Sequence, residues 1–91
     1  MENVLKAKVR IDILAILSGS VEAEFQYLKK RLELTDGNLS FHLKILEEAA
    51  CIKVTKTFVG RKPKSFIKLT AKGRKILLDY VNELTNLIKI K

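Results

Sequence analysis

The sequence predicts an α+β domain that is mostly α, with three helices, a two-stranded β-hairpin and a long terminal helix. Three observations carry this. Apolar residues recur at helical spacing up to about residue 50, the period then shortens from 3.6 to 2 as far as residue 69, and helical spacing returns beyond it. The chain of 91 residues is expected to form one domain, 1–91, with a modest core.

Residues 1–8 are polar enough to fray, with Val4 and Leu5 available for packing. The first helix is expected over about 9–17, where Val9, Ile13, Ile16 and Leu17 keep helical spacing and Ile11 and Leu14 widen the stripe. Ser18, Gly19 and Ser20 stop it. A second helix, starting near residue 22 or 24 and ending at Leu32, turns Phe25, Leu28 and Leu32 inward and Lys29, Lys30 and Arg31 outward. Glu33 and Leu34 make a tight connection to Thr35, whose hydroxyl is suited to cap a third helix by accepting from the Asn38 amide. Asp36 in its first turn complements the helix dipole.

The stretch 35–52 organises the rest. Leu39, Leu43 and Leu46 form the stripe that an amphipathic helix buries. The opposite face carries Gly37, Asn38, Phe41, Lys44 and Ile45, with Ser40 on the flank. A merely solvated face would carry Glu and Lys and seldom a phenylalanine. Small, amide, hydroxyl, aromatic and cationic groups together are the set that meets base edges, thymine methyls and phosphates in a DNA major groove. Two short helices joined by three or four residues, the second with such a face, make a helix-turn-helix. Gly37 lowers helix propensity by roughly 1 kcal/mol against alanine. Either the backbone there approaches a phosphate or base closely, or an early helical turn simply tolerates glycine.

In the hairpin, Ile52, Val54 and Phe58 alternate with Lys53, Thr55 and Thr57, and a second strand is expected over 65–69. The segment 60–64 between them is expected to form the tip and to carry Arg61, Lys62 and Lys64, cations placed to lie along a phosphate backbone or enter a minor groove. Thr70 then caps a last helix, 70–91, whose apolar residues Ile76, Leu77, Tyr80, Val81, Leu84, Leu87 and Ile88 span more than three turns. So small a domain covers only part of that stripe, and a symmetric dimer would cover the remainder; the alternative is that the stripe packs entirely on its own domain.

Composition agrees with a polyanion partner. The apolar fraction of 47% is that of a globular chain, and the net charge is +8. No acidic residue lies between Glu48 and Asp79, an interval rich in Lys and Arg. A single cysteine, Cys51, excludes an internal disulfide and a multi-cysteine zinc site. No apolar run approaches a membrane span and the amino terminus lacks a signal-peptide pattern, so a cytoplasmic location is expected.

The run T-D-G-N-L-S-F-H-L-K-I-L-E-E-A at 35–49, followed by F-V-G-R-K-P-K-S-F-I-K-L-T-A-K-G-R at 58–74, resembles the winged-helix transcriptional regulators of the ArsR/MarR-like kind common in archaea and bacteria. The resemblance covers about 9–84. It implies a winged helix-turn-helix fold and a homodimeric, sequence-specific binder of double-stranded DNA that acts as a repressor or activator. By the matched positions, Thr35, Gly37, Asn38, Ser40, Phe41 and Lys44 belong to the recognition helix in the major groove. Arg61, Lys62 and Lys64 belong to the wing, on the backbone or minor groove. Lys29 and Lys30 are expected on the phosphate backbone, and Leu77, Tyr80, Val81, Leu84, Leu87 and Ile88 at the dimer interface. His42 falls in the pattern S-x-H-L and reads as a packing and hydrogen-bonding residue at the helix edge.

Two departures stand out. Ala50 occupies the place after the recognition helix where glycine is usual, and a left-handed conformation there would cost roughly 1–2 kcal/mol, so the helix is expected to end differently. Cys51 stands where a larger residue is usual and reads as a buried small hydrophobe in preference to a redox-sensing thiol. The clustered cysteines of metal-sensing members are missing, so no cofactor and no metal are expected; any small-molecule effector is unknown.

Two other function classes compete. One is a nonspecific architectural DNA-binding protein or a winged-helix protein-interaction module, in which Phe41 and Ile45 meet a protein partner. The other is an enzyme, which the residues disfavour. One His and one Cys, nine positions apart and roughly 13 Å along a continued helix, are too distant for a nucleophile and its base.

Overall fold

Residues 3–89 are described by the structure, a computed structural model. A 3-10 turn, Asn3–Lys6, precedes helix α1 (Lys8–Ser18), and instead of fraying it buries Val4 and Leu5 against the core. Residues 1 and 2, included in the expected fray, lie outside the described ones. Helix α1 turns Ile13, Leu14 and Leu17 into the interior, together with Arg10, a cation within the apolar stripe.

Next comes an element too short for any periodicity to announce. Strand β1 (Ala23–Glu24) pairs antiparallel with the later strand β3, so the expected two-stranded hairpin is a three-stranded sheet in the order β1-β3-β2. Helix α2 (Phe25–Leu32) follows without a break and buries Leu28, while Phe25 and Leu32 pack half-buried on the core. Glu33 closes it in the left-handed region at φ 55°; the amides of Glu33 and Leu34 donate to the carbonyls of Lys30 and Lys29.

Helix α3 (Asp36–Glu48) starts as expected. The Thr35 hydroxyl accepts from the Asn38 amide at 3.1 Å, and Leu39, Leu43 and Leu46 are buried. Its end departs from expectation. Ala50 does adopt the left-handed conformation, at φ 62°, and its amide donates to Glu47 while that of Cys51 donates to Leu46. This is the Schellman ending that glycine usually provides, reached here with alanine. Cys51 is fully buried, as a small hydrophobe.

Strands β2 (Ile52–Val59) and β3 (Lys62–Leu69) pair antiparallel along their whole length, from Ile52 with Leu69 to Val59 with Lys62. The turn is therefore only Gly60 and Arg61, not the five residues 60–64. Gly60 has φ +65° and Arg61 no positive φ, the pattern of a II′ hairpin turn. Pro63 stands inside β3, where β1 no longer pairs, so its missing N–H leaves no ladder bond unmade on that free edge.

Helix α4 (Ala71–Ile88) begins at a junction that ties three segments together. The Thr70 hydroxyl accepts from the Gly73 amide at 3.0 Å and donates to the Ala50 carbonyl at 2.6 Å, while the Thr70 amide donates to the Cys51 carbonyl at 3.1 Å. A Cβ at Gly73 would collide with that Cys51 carbonyl and with the Leu69 side chain, so glycine is what lets α4 lie against the exit of α3. Ile90 and Lys91, included in the expected final helix, lie outside the described residues.

Candidate nucleic-acid interface

Helix α3 is anchored from beneath by its leucines, so its opposite side is left to solvent. Gly37, Asn38, Ser40, Phe41 and Lys44 are all exposed, Phe41 at 60%, and Thr35 is exposed at the cap. A Cβ at Gly37 would meet nothing within 4 Å, so no neighbour within the chain requires glycine there. Ile45, expected on the same face, is half-buried against the core.

A buried polar contact fixes the roll of this helix. Arg10 Nε donates to the Val4 carbonyl at 2.6 Å, and Arg10 Nη1 lies 3.1 Å from His42 Nδ1. A guanidinium only donates, so Nδ1 accepts and the ring proton resides on Nε2. Burial, and secondly the Arg10 charge, push His42 below its ordinary pKa, which favours the neutral acceptor. The other side of the ring meets Phe41 edge-on, with centroids 5.2 Å apart. His42 thus links the core to an exposed aromatic on the outer face of α3. Arg10 escaped notice in the sequence, although a cation at i before Ile13, Leu14 and Leu17 was its signal.

The cations divide by position. Arg61 occupies the hairpin turn and Lys62 the first pair beside it, both exposed. Lys64 is not at the tip. It lies two residues into β3, half-buried, with Nζ 2.6 Å from Glu24 Oε2, an ion pair that ties the wing to β1. Lys29 bridges to Asp36 at 2.9 Å and so braces α2 against the start of α3, while Lys30 is exposed. Arg31 Nη1 donates to the Tyr27 hydroxyl at 3.0 Å on the same outer side of α2.

Between α3 and the sheet runs an open groove of about 490 Å³, floored by Phe25, Leu43 and Val54 and edged by Ser40, Lys44 and Lys56. It separates α3 from the hairpin of β2 and β3. Helix α4 supplies the remaining surface. Leu77 is a core residue and Tyr80 packs half-buried on the core, whereas Val81, Leu84, Leu87 and Ile88 are exposed, joined by Leu78. Among the described residues no group of His, Cys, Asp and Glu could hold a metal ion, and no helix is long and apolar enough to cross a membrane.

Comparison with known proteins bears on this geometry. The sequence profile of a winged helix DNA-binding domain matches residues 9–88. An uncharacterized protein of Methanocaldococcus jannaschii is 43% identical over 87 residues, covering 96% of this chain and 95% of its own. A transcriptional regulator homologue from Pyrococcus horikoshii superposes with a TM-score of 0.88 at 29% identity, over 96% of this chain and 86% of that one. The transcriptional regulator BldR from Sulfolobus solfataricus shares the fold, with a TM-score of 0.76 at 23% identity, over 90% of this chain and 58% of its own.

Proposed function

The chain belongs to the winged helix DNA-binding domain family, and from that premise we propose that it is a sequence-specific transcriptional regulator, a repressor, that works in the cytoplasm as a homodimer on double-stranded DNA. The observation that carries this reading is the exposed face of α3. Asn38, Ser40, Phe41 and Lys44 stand clear of the core on a helix whose roll is held by buried leucines and by the Arg10–His42 contact. Rigidly presented amide, hydroxyl, aromatic and ammonium groups can prefer one base sequence over another. Arg61 and Lys62 in the wing and Lys30 on α2 supply sequence-independent phosphate contacts. Lys29 and Lys64 join them only by sharing charge already engaged with Asp36 and Glu24.

The homodimer rests on α4. Its inward stripe, through buried Leu77 and half-buried Tyr80, continues into Leu84, Leu87 and Ile88, which no described residue covers. A second copy using the same patch would bury both stripes and set two recognition helices one DNA turn apart, about 34 Å, on a pseudo-palindromic site. Occupying such a site near a promoter would block transcription.

The test is fluorescence-anisotropy binding to the DNA upstream of the protein's own gene and to a random duplex, each over a salt series. Tighter and more salt-tolerant binding to the upstream DNA is expected. Equal, steeply salt-dependent binding to both would replace the regulator with an architectural coater. No binding to either would move the function to a protein partner.

A further inference from the structure

The wing is chemically unusual at its end. Residues of β2 and β3 that face the core, Ile52, Val54, Ile67 and Leu69, alternate with outward ones, and the same face continues past the core through Lys56 and Ser65 to the pair Phe58 and Pro63. That is the face that borders the groove beside α3. Phe58 is 70% exposed, and Val59, on the opposite face of the ribbon, is also exposed. The tip is therefore a thin two-stranded blade with apolar groups on both faces. Cations rim it, with Lys56 behind and Arg61 and Lys62 at the end, and the chain carries no acidic residue between Glu48 and Asp79.

An aromatic this exposed, outside the core cluster, contributes little to stability, and a purely electrostatic wing would not need it. The partner must accept an apolar blade and a ring of positive charge at once. Double-stranded DNA does so in its minor groove, where an apolar wedge enters between base pairs while cations meet the flanking phosphates. We propose that Phe58, backed across the strand pair by Pro63, is a wedge that the wing drives into the minor groove, unstacking a base step and bending the duplex. The proposal rests on the reading that the chain binds DNA. Sites with a flexible pyrimidine–purine step under the wing are preferred, which gives specificity where no base edge is read.

The experiment uses the full chain and two 22-base-pair duplexes, one from the DNA upstream of its own gene and one of mixed sequence, each labelled at both ends for energy transfer. The chain variants are Phe58→Thr, Phe58→Leu and Arg61→Ala. Wild type is expected to shorten the end-to-end distance. Phe58→Thr should lose most of that shortening and bind roughly tenfold more weakly, about 1.4 kcal/mol, at an unchanged salt slope, since the wedge carries no charge. Phe58→Leu, still apolar, should keep most of the bend. Arg61→Ala should reduce the salt slope by about one while the bend persists. A Phe58→Thr protein that binds and bends like wild type would overturn the wedge and leave DNA binding standing. A change of oligomeric mass on Phe58→Thr in the absence of DNA would overturn it too, by making the tip a contact between copies. Failure of the wild type to bind either duplex would overturn the underlying reading itself.

Discussion

Ala50 and Gly73 sit on the two sides of one junction, and their backbone requirements are opposite to their identities in an instructive way. Ala50 holds a left-handed φ of 62° with a Cβ that resists it, so Ala50→Gly should raise stability by about 1 kcal/mol, read as an increase in the denaturant midpoint. At Gly73 the conformation is ordinary and the space is lacking. Gly73→Ala forces a methyl onto the Cys51 carbonyl and should lower stability by about 3 kcal/mol in the same assay. His42 gives a prediction in pH. Its folded-state pKa lies below the unfolded value, so the unfolded chain binds the proton more readily. The stability this adds is complete above about pH 6.5, the ordinary value, and is lost as pH falls through the lowered pKa. Asparagine can offer an acceptor oxygen where Nδ1 stood, with no proton to gain. Chemical denaturation at pH 7.5 and 5.5 should therefore show a larger acid loss for wild type than for His42→Asn.

Helix α3 and the wing differ in what they can be asked to do. The face of α3 formed by Asn38, Ser40, Phe41 and Lys44 presents uncharged groups and one lysine from a fixed base; the wing presents cations on a ribbon that reaches away from the core. Asn38→Ala should therefore change which duplex is preferred, measured as the ratio of affinities for upstream and random DNA. Equal losses on both duplexes would remove Asn38 from the base-reading set. Arg61→Ala should weaken both duplexes alike and flatten the salt dependence. The helices themselves were legible because each carries its core stripe in its spacing, and both threonine caps could be named from residue type and position. The extent of the hairpin was not. Gly60 and Pro63 both look like turn residues, yet Pro63 is accommodated inside β3 because that stretch is a free edge, a fact that exists only once β1 has been placed.

For the whole molecule, the balance between core and exposed apolar surface lies on α4. Its exposed leucines and isoleucine, with Leu87 61% and Ile88 74% exposed, extend a stripe whose first half is already core. Sedimentation should report twice the mass of one chain for wild type and the mass of one chain for Leu84→Glu combined with Leu87→Glu. Because both positions lie outside the core, the double variant should remain folded, with the far-UV spectrum of the wild type. A wild-type monomer would leave the stripe to some other partner.

Local chemistry was enough to place the four helices, the hairpin and the exposed face of α3, because period, caps and residue type act over a few neighbouring positions. A resemblance in two short motifs pointed to the winged-helix family, to which the chain belongs. Tertiary structure alone decided the rest. A two-residue strand has no period, so β1 appears only as a partner of β3. The ion pairs of Lys64 with Glu24 and Lys29 with Asp36 depend on which elements lie side by side, as does the division of α4 into a core half and an exposed half. Ala50 was drawn into the left-handed region against its own preference because the hydrogen bonds of Thr70, twenty residues away, and the burial of the adjacent Cys51 in a core built from other elements outweigh a local cost of about 1–2 kcal/mol.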